Sequence, residues 1–371
     1  MAGLYVHIPF CKSRCIYCGF YSTTLLPLRQ RYVDALCKEI DMYGGSWSTV
    51  YIGGGSPSVL SAGQLDQLFS HIDCSVAREV TIECNPDDVT PDFATLIGSL
   101  PVNRVSMGAQ TFDGERLRFL RRRHDAREVD TAVGRLRAAG IDNISVDLIY
   151  GFPGETIEQW DNDISHAISL ATEHLSAYCL SFEEGTPLME MKRRGKVEEA
   201  DEETTRQMYY HLIDRLYRAG YCHYEISNFA RPGFQALHNS SYWHGVPYTG
   251  AGAAAHSYFK EGSREYRQWN VADLSAYIEA IEHEEIPMER ETLSPSEQYN
   301  DMVMLALRTA DGISLPLLER RFGKEAKDYC LRCAKTFLDP TPLLSLSADH
   351  LRLTRDGLYV SDMVMSALMM A

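Results

Sequence analysis

No stretch of the chain approaches the ~18 consecutive apolar residues of a membrane-spanning helix. Met1 to Cys15 lack both a charged n-region and a long apolar run, so they do not resemble a secretory signal. The expected compartment is the cytoplasm, with peripheral membrane contact and oligomerisation left open. Basic charge is scarce: 36 Lys and Arg stand against 51 Asp and Glu, a formal net charge of −15. A protein that grips nucleic acid through its phosphates needs a basic face. Arg121, Arg122 and Arg123 form a local basic patch, but the acidic balance makes nucleic acid an unexpected partner. The glycine loop Gly53-Gly54-Gly55-Ser56 lacks the lysine of a phosphate-binding P-loop, which argues against ATP. Internal repeats and low-complexity tracts are also missing.

The 371 residues, 45% hydrophobic and 23% charged, suffice for two or three domains with a sizeable core. The first half alternates strand-like and helix-like segments. Extended runs fall at Leu4–Ile8, Val50–Ile52, Val80–Glu83, Arg104–Gly108, Ile144–Ile149 and Leu175–Leu180. Helical periodicity fills the gaps near Arg29–Tyr43, Pro91–Ser99, Ala126–Ala139 and Ile157–Leu170, and Ser61 with Gln64 has the form of a capping box. Strands spaced by helices of this length predict a parallel sheet of right-handed crossover units, and six units suit an open or closed barrel. The expected division is residues 1–184 as barrel core, 185–257 as an extension of it, and 258–371 as a smaller, mainly helical domain. The stretch Leu351–Val360 resembles a hairpin with an Asp356-Gly357 turn, which would make that last domain similar to a winged helix.

Ten cysteines in a long chain without a signal peptide are more at home in cores, metal sites or catalysis than in disulfides. Cys37, Cys74, Cys84, Cys179 and Cys222 sit singly in apolar patterns and are expected in the core. Cys330 and Cys333 lie on an amphipathic helix, also as packing residues. Cys11, Cys15 and Cys18 differ, being gathered in a loop directly after the first strand. Three thiolates at spacings of four and three can converge on one soft metal centre. A closed zinc site wants four ligands, which would require a distant residue such as His7. A [4Fe–4S] cluster held by three cysteines leaves one iron open to a small chelating molecule.

The pattern CxxxCx(aromatic)C after a first strand resembles the signature of the radical SAM superfamily. Further blocks resemble its oxygen-independent coproporphyrinogen III oxidase-like family: Tyr5–Cys11, Gly53–Ser58, Glu83–Pro86, Arg104–Phe112 and Asp147–Gly154. The resemblance implies an α/β fold, a partial (β/α)6 TIM-like barrel, holding a [4Fe–4S] cluster on Cys11, Cys15 and Cys18, S-adenosylmethionine (SAM) on its open iron, and an external reductant for the cluster. By the same resemblance, Gly54, Gly55 and Ser56 hold the methionyl amino group and Glu83 contacts the methionyl end. Gln110 and Asp147 hold the ribose, Arg122 pairs with the carboxylate, Tyr17 lies near adenine, and Tyr5 is a cluster-proximal contact.

Two features choose within that family. The oxidases carry a further cysteine two residues after the third cluster ligand, where this chain has Phe20. His238-Asn239-Ser240-Ser241-Tyr242-Trp243 is similar to the HNxxYW signature of HemW-type heme chaperones. The resemblance therefore implies heme as cargo and apo-hemoproteins as acceptors, with His238, Tyr242 and Trp243 as heme candidates. His256 is the second candidate ligand, and His244 ranks behind both. The alternative is a coproporphyrinogen III oxidase converting two propionates to vinyls, so whether the chain is an enzyme stays open at this stage. A third reading, a structural or zinc-binding cysteine protein, would be separated by iron and acid-labile sulfide content.

Overall fold

Side-chain caps set where the helices begin. In the computed structural model, which describes residues 2–340 and 342–370, the Ser61–Gln64, Asp125–Glu128, Thr156–Gln159 and Ser294–Glu297 pairs each form a reciprocal capping box. Six strands alternate with helices as the periodicity predicts. The strands are β1 (Gly3–Ile8), β2 (Thr49–Gly54), β3 (Glu79–Cys84), β4 (Arg104–Gln110), β5 (Ile144–Tyr150) and β6 (His174–Cys179). Between them lie α1 (Arg29–Tyr43), α2 (Ala62–Ser70), α3 (Pro91–Ser99), α4 (Gly114–Phe119), α5 (Ala126–Ala138) and α6 (Ile157–Ser169). Each strand pairs in parallel with the next, so the six stand in sequence order. The buried face of α1 is the expected one, Tyr32, Val33, Leu36 and Ile40.

The sheet continues past both ends of this unit. After α7 (Pro187–Arg193) and α8 (Glu202–Arg218), the hairpin β7 (Cys222–Glu225) and β8 (Asn228–Ala230) runs antiparallel beside β6. Helix α9 (Leu237–Trp243) then leads to β9 (Tyr248–Ala251), which pairs in parallel with β1 on the opposite side. From there β10 (His256–Glu261), β11 (Arg264–Asn270) and, after α10 (Leu274–Glu282), β12 (Met288–Thr292) complete a sheet of twelve strands. The boundary expected at residue 258 lies inside β10. The stretch anticipated as helical is instead a sheet edge, polar enough to hide its alternation; Arg290 covers the rings of Phe259 and Tyr266.

The second core belongs to the C-terminal unit and draws on Tyr299, Val303, Leu307, Leu318, Cys330, Leu351 and Val364. It contains α11 (Pro295–Leu307), β13 (Ile313–Ser314), α12 (Leu315–Ala334), β14 (Leu344–Leu346), β15 (His350–Leu353), α13 (Arg355–Tyr359) and α14 (Ser361–Leu368). A hairpin is present, but it lies earlier than expected, with Leu344 opposite Leu353 and Leu346 opposite Leu351. Asp356 and Gly357 are not its turn. The Thr354 hydroxyl accepts from Gly357 N and opens α13, and a Cβ on Gly357 would meet the Leu343 carbonyl at 1.9 Å. Of the single cysteines, Cys37 and Cys84 are buried and Cys74 partly so, whereas Cys179 and Cys222 are exposed, contrary to expectation. Cys179 ends β6 at the mouth of a cavity, and Cys222 opens the edge strand β7. Cys330 packs inside its helix face and Cys333 at the margin.

A buried carboxylate locks α1 to the sheet extension. Glu39 is fully buried and accepts from Gly252 N at 2.7 Å, Asn270 Nδ2 at 2.6 Å, the Tyr277 hydroxyl at 2.5 Å and the Tyr43 hydroxyl at 3.1 Å. Burial holds its carboxyl above the usual range. Glu39→Gln would turn an amide donor toward these donors, and urea unfolding should show a loss of about 1–3 kcal/mol. Glu39→Ala should lose more, because four donors are left without an acceptor.

Candidate functional site

The cysteine loop leaves β1 pinned from both sides. Cys11 N donates to the Thr23 carbonyl at 2.9 Å, and Thr23 N returns to the Pro9 carbonyl at 2.7 Å. Ile16, between the second and third cysteines, is the apolar anchor. It packs with Leu120, Ile149, Phe152 and Leu180 in a small separate core. That leaves Cys11, Cys15 and Cys18 half-buried, all lining a cavity of about 690 Å³ at the C-terminal ends of the parallel strands. Active sites of barrels built this way lie at the same end. Burial raises the Cys11 and Cys18 thiols above their ordinary titration range.

A chain of polar contacts joins two of the thiols. The Ser56 hydroxyl stands 4.0 Å from Cys11 Sγ and accepts from Asn85 Nδ2 at 2.6 Å. Asn85 Oδ1 accepts from Arg122 Nη2 at 2.6 Å, and Arg122 Nη1 lies 3.6 Å from Cys15 Sγ. Arg122 Nη2 also reaches the Gly108 carbonyl, while its buried Nε has no partner. Beside this chain, Glu83 takes Gly54 N at 3.1 Å and the Tyr51 hydroxyl at 2.7 Å. Burial pushes its carboxyl up to about 7. Asp147 accepts from the Ser106 hydroxyl at 3.2 Å and is likewise raised by burial. Gln110 ends β4 after a bulge, at a φ of 68°. A non-glycine residue held there stores strain of ~1–3 kcal/mol, and the bulge brings its side chain to the cavity.

The donor set and the cradle fit a cluster with its small-molecule ligand. Among the described residues, no three His, Cys, Asp or Glu side chains converge on a point that a single ion could occupy. Gly54, at φ 105°, could not carry a side chain, because its Cβ would lie 2.5 Å from the His7 ring. The backbone is thus free to approach a ligand.

Of the residues expected to hold SAM, Tyr17, Gly54, Gly55, Ser56, Glu83, Gln110, Arg122 and Asp147 all line this cavity. Tyr5 does not. Its hydroxyl donates to His7 Nδ1 at 3.0 Å and its ring stacks near Tyr51, behind the wall. Arg123 is taken by Asp87 and Asp88. Phe20 lies 69% exposed at the cavity mouth, where the oxidases have their additional cysteine. Sequence reasoning missed Asn85, Tyr51 and Arg104 as site residues. Arg104 is 1% exposed, with Nε and Nη1 unpartnered, and its charge favours the ionised forms of Glu83 and Asp147. Its alternation with Ser106 and Gly108 along β4 was the available signal.

The heme candidates do not line this cavity. His238 is 1% exposed and both ring nitrogens are taken, Nδ1 by the Thr49 hydroxyl at 2.9 Å and Nε2 by the Tyr242 hydroxyl at 2.7 Å. Its ring stacks on Tyr51, and burial lowers its pKa to about 3. As placed it is a neutral packing residue with both ring nitrogens engaged by hydroxyls. Tyr242, Trp243 and His256 line a second cavity, toward the C-terminal unit.

Residues 5–167 match the radical SAM superfamily, and residues 293–360 match the HemN C-terminal domain. The chain is 36% identical to the heme chaperone HemW of Lactococcus lactis, covering 86% of this chain and 84% of that protein. It is 34% identical to the HemW of Bacillus subtilis (87% and 88% covered) and 32% to that of Mycobacterium tuberculosis (99% and 94%). Among solved structures, coproporphyrinogen III oxidase (HemN) of Escherichia coli superposes with a TM-score of 0.83 at 22% identity, covering 99% of this chain and 89% of that one, which establishes the shared fold. On this evidence of sequence, over most of both partners' length, the chain belongs to the HemW family of the radical SAM superfamily.

Proposed function

We propose that the chain is a heme chaperone that binds heme reversibly and passes it to apo-hemoproteins. The observation that carries the reading is the identity with HemW proteins over at least 84% of their length. Phe20 at the cluster cavity supports it, because the oxidase pattern needs a thiol there. In this reading Cys11, Cys15 and Cys18 hold a [4Fe–4S] cluster. The cluster, when bound, supplies one iron without a protein ligand, which the amino and carboxylate groups of SAM can chelate. Arg122 neutralises the methionyl carboxylate, Gly54, Gly55 and Glu83 receive the ammonium, and Gln110 with Asp147 orients the ribose.

The deciding experiment offers heme and coproporphyrinogen III separately to the anaerobically reconstituted protein, with SAM and a reductant present. Heme should bind and move to an added apo-hemoprotein, and no protoporphyrinogen IX should form. Anaerobic conversion of coproporphyrinogen III would replace the chaperone reading with the oxidase one.

Two residue-level outcomes follow from the geometry. Removing the Arg122 charge should weaken SAM binding by about ten- to a hundred-fold, the equivalent of ~1.5–3 kcal/mol for a charged hydrogen bond. Calorimetry on Arg122→Ala, with iron and sulfide content checked, tests this; unchanged affinity would reassign the carboxylate's partner. The second concerns Glu83, whose carboxyl is raised to about 7 by burial. The folded state then holds this proton more tightly than the unfolded chain, where Glu titrates near ~4.3. Stability is therefore lost as pH rises between these values, by a few kcal/mol at most. Urea unfolding at about pH 5 and pH 8 should show that slope in the wild type and a shallower one in Glu83→Gln.

A further inference from the structure

Helix α9 is a partition between two cavities. Asn239 lines the cluster cavity, whereas Tyr242, Trp243 and the C-cap residue His244 line the second one, also about 690 Å³. No described residue lines both. The second cavity lies between the sheet extension and the C-terminal unit, with Tyr248, Met302 and Leu305 adding to an apolar wall. Its volume falls within the ~300–1,000 Å³ of sites that enclose an organic ligand.

His244 has what His238 lacks. Its Nδ1 lies 2.7 Å from the Ser240 carbonyl, which can only accept, so Nδ1 carries the ring proton. Nε2 then presents a lone pair. The Asp311 carboxylate stands 3.7 Å from it, too far for a hydrogen bond, and lines the same cavity. An imidazole whose Nδ1–H is held by a backbone carbonyl is oriented for ligation through Nε2. At the rim, Lys260 makes no ion pair among the described residues, and its Nζ stands 3.8 Å from where a Cβ on Gly245 would lie. Its ammonium lies over the ring of Tyr258, itself part of the lining, at 5.4 Å, a place that suits the propionate of a macrocycle whose rings lie against aromatic and methionine side chains.

We propose that this second cavity is the heme seat, with His244 Nε2 as the axial ligand, so that heme and SAM occupy opposite sides of α9. The proposal rests on the chaperone reading. Heme is titrated into the full-length protein and the Soret band followed for the wild type, His244→Ala, Ala306→Trp and the Cys11→Ala/Cys15→Ala/Cys18→Ala triple variant, with folding checked by far-UV circular dichroism. His244→Ala should shift the band and weaken binding by about ten- to a hundred-fold. Ala306→Trp, which fills the cavity from α11, should block heme while SAM affinity is kept. The triple variant should bind heme as the wild type does. Wild-type spectra and affinity in both His244→Ala and Ala306→Trp would overturn the seat while leaving the chaperone reading standing. Loss of heme from a folded triple variant would move the seat to the cluster cavity. A wild-type protein that binds no heme would overturn the chaperone reading and this proposal together.

Discussion

Two backbone hydrogen bonds hold the cluster end of the molecule in place. Gly55 N donates to the Ile8 carbonyl and Ser56 N to the Phe10 carbonyl, both at 2.8 Å, tying the exit of β2 to the exit of β1. The register makes this possible by setting Ile8 opposite Gly54. Glycine at 55 is a steric requirement, because a Cβ there would lie 2.8 Å from both carbonyl oxygens. The loop that bears the cysteines thus inherits its position from the sheet. The hydroxyl of Ser56 and the amide of Gly54, carried on the same turn, arrive beside Cys11 and Glu83 with no further ordering cost. Placing a site on rigid strand ends keeps its groups aligned better than free loops could.

The barrel interior departs from ordinary packing because it is polar without being ion-paired. Glu83 and Asp147 face inward with Arg104, yet among the described residues Arg104 makes no salt bridge, and hydroxyls and backbone amides satisfy the acids. Burial raises both carboxyl groups against the favourable field of Arg104. Such an interior is costly for an empty protein and suited to a ligand that brings its own charges, as SAM does with an ammonium, a carboxylate and a sulfonium. The second cavity is of mixed character, its aromatic and aliphatic side chains joined by Arg267, Asp301, Asp311 and Arg321. One helix of seven residues separates the two cavities.

Much of this was legible in the sequence, for identifiable reasons. The parallel unit announced itself through alternating periodicity and capping pairs, and the bounds of Arg29–Tyr43 and Pro91–Ser99 coincide with α1 and α3. The cluster loop was legible because thiol spacing within eight residues is local information. The sheet extension was not, because β11 and β12, rich in Arg and Glu, form a half-exposed edge whose polar alternation resembles a surface helix. The hairpin at the end was misplaced because Asp-Gly serves a first helical turn as well as a tight turn. The role of His238 was illegible for a third reason. Its ring partner Thr49 lies 189 residues away, and which nitrogens are free depends on contacts that no spacing encodes.

The separation of the two cavities also bears on how one fold serves two kinds of task. Hydrogen abstraction from a macrocycle requires the reacting carbons within ~3–3.5 Å of each other. A macrocycle beside the cluster could meet that distance, whereas one beyond α9 could not. A chain that keeps the cluster receptor intact but holds its macrocycle elsewhere would therefore retain SAM binding and lose the reaction. The contacts across the partition remain continuous: Tyr242 bonds His238, His238 stacks on Tyr51, and Tyr51 bonds Glu83. Glu83 in turn takes the amide of Gly54 in the ligand cradle. Any shift of Glu83 on binding the ammonium of SAM bears first on Tyr51 and then, through two rings, on the wall of the second cavity. Proximity alone does not make such a chain a switch, since coupling requires two discrete arrangements of an element. Helix α9 carries these contacts, its first turn held by Glu79 through the amides of Leu237 and His238 and its last residue lining the second cavity.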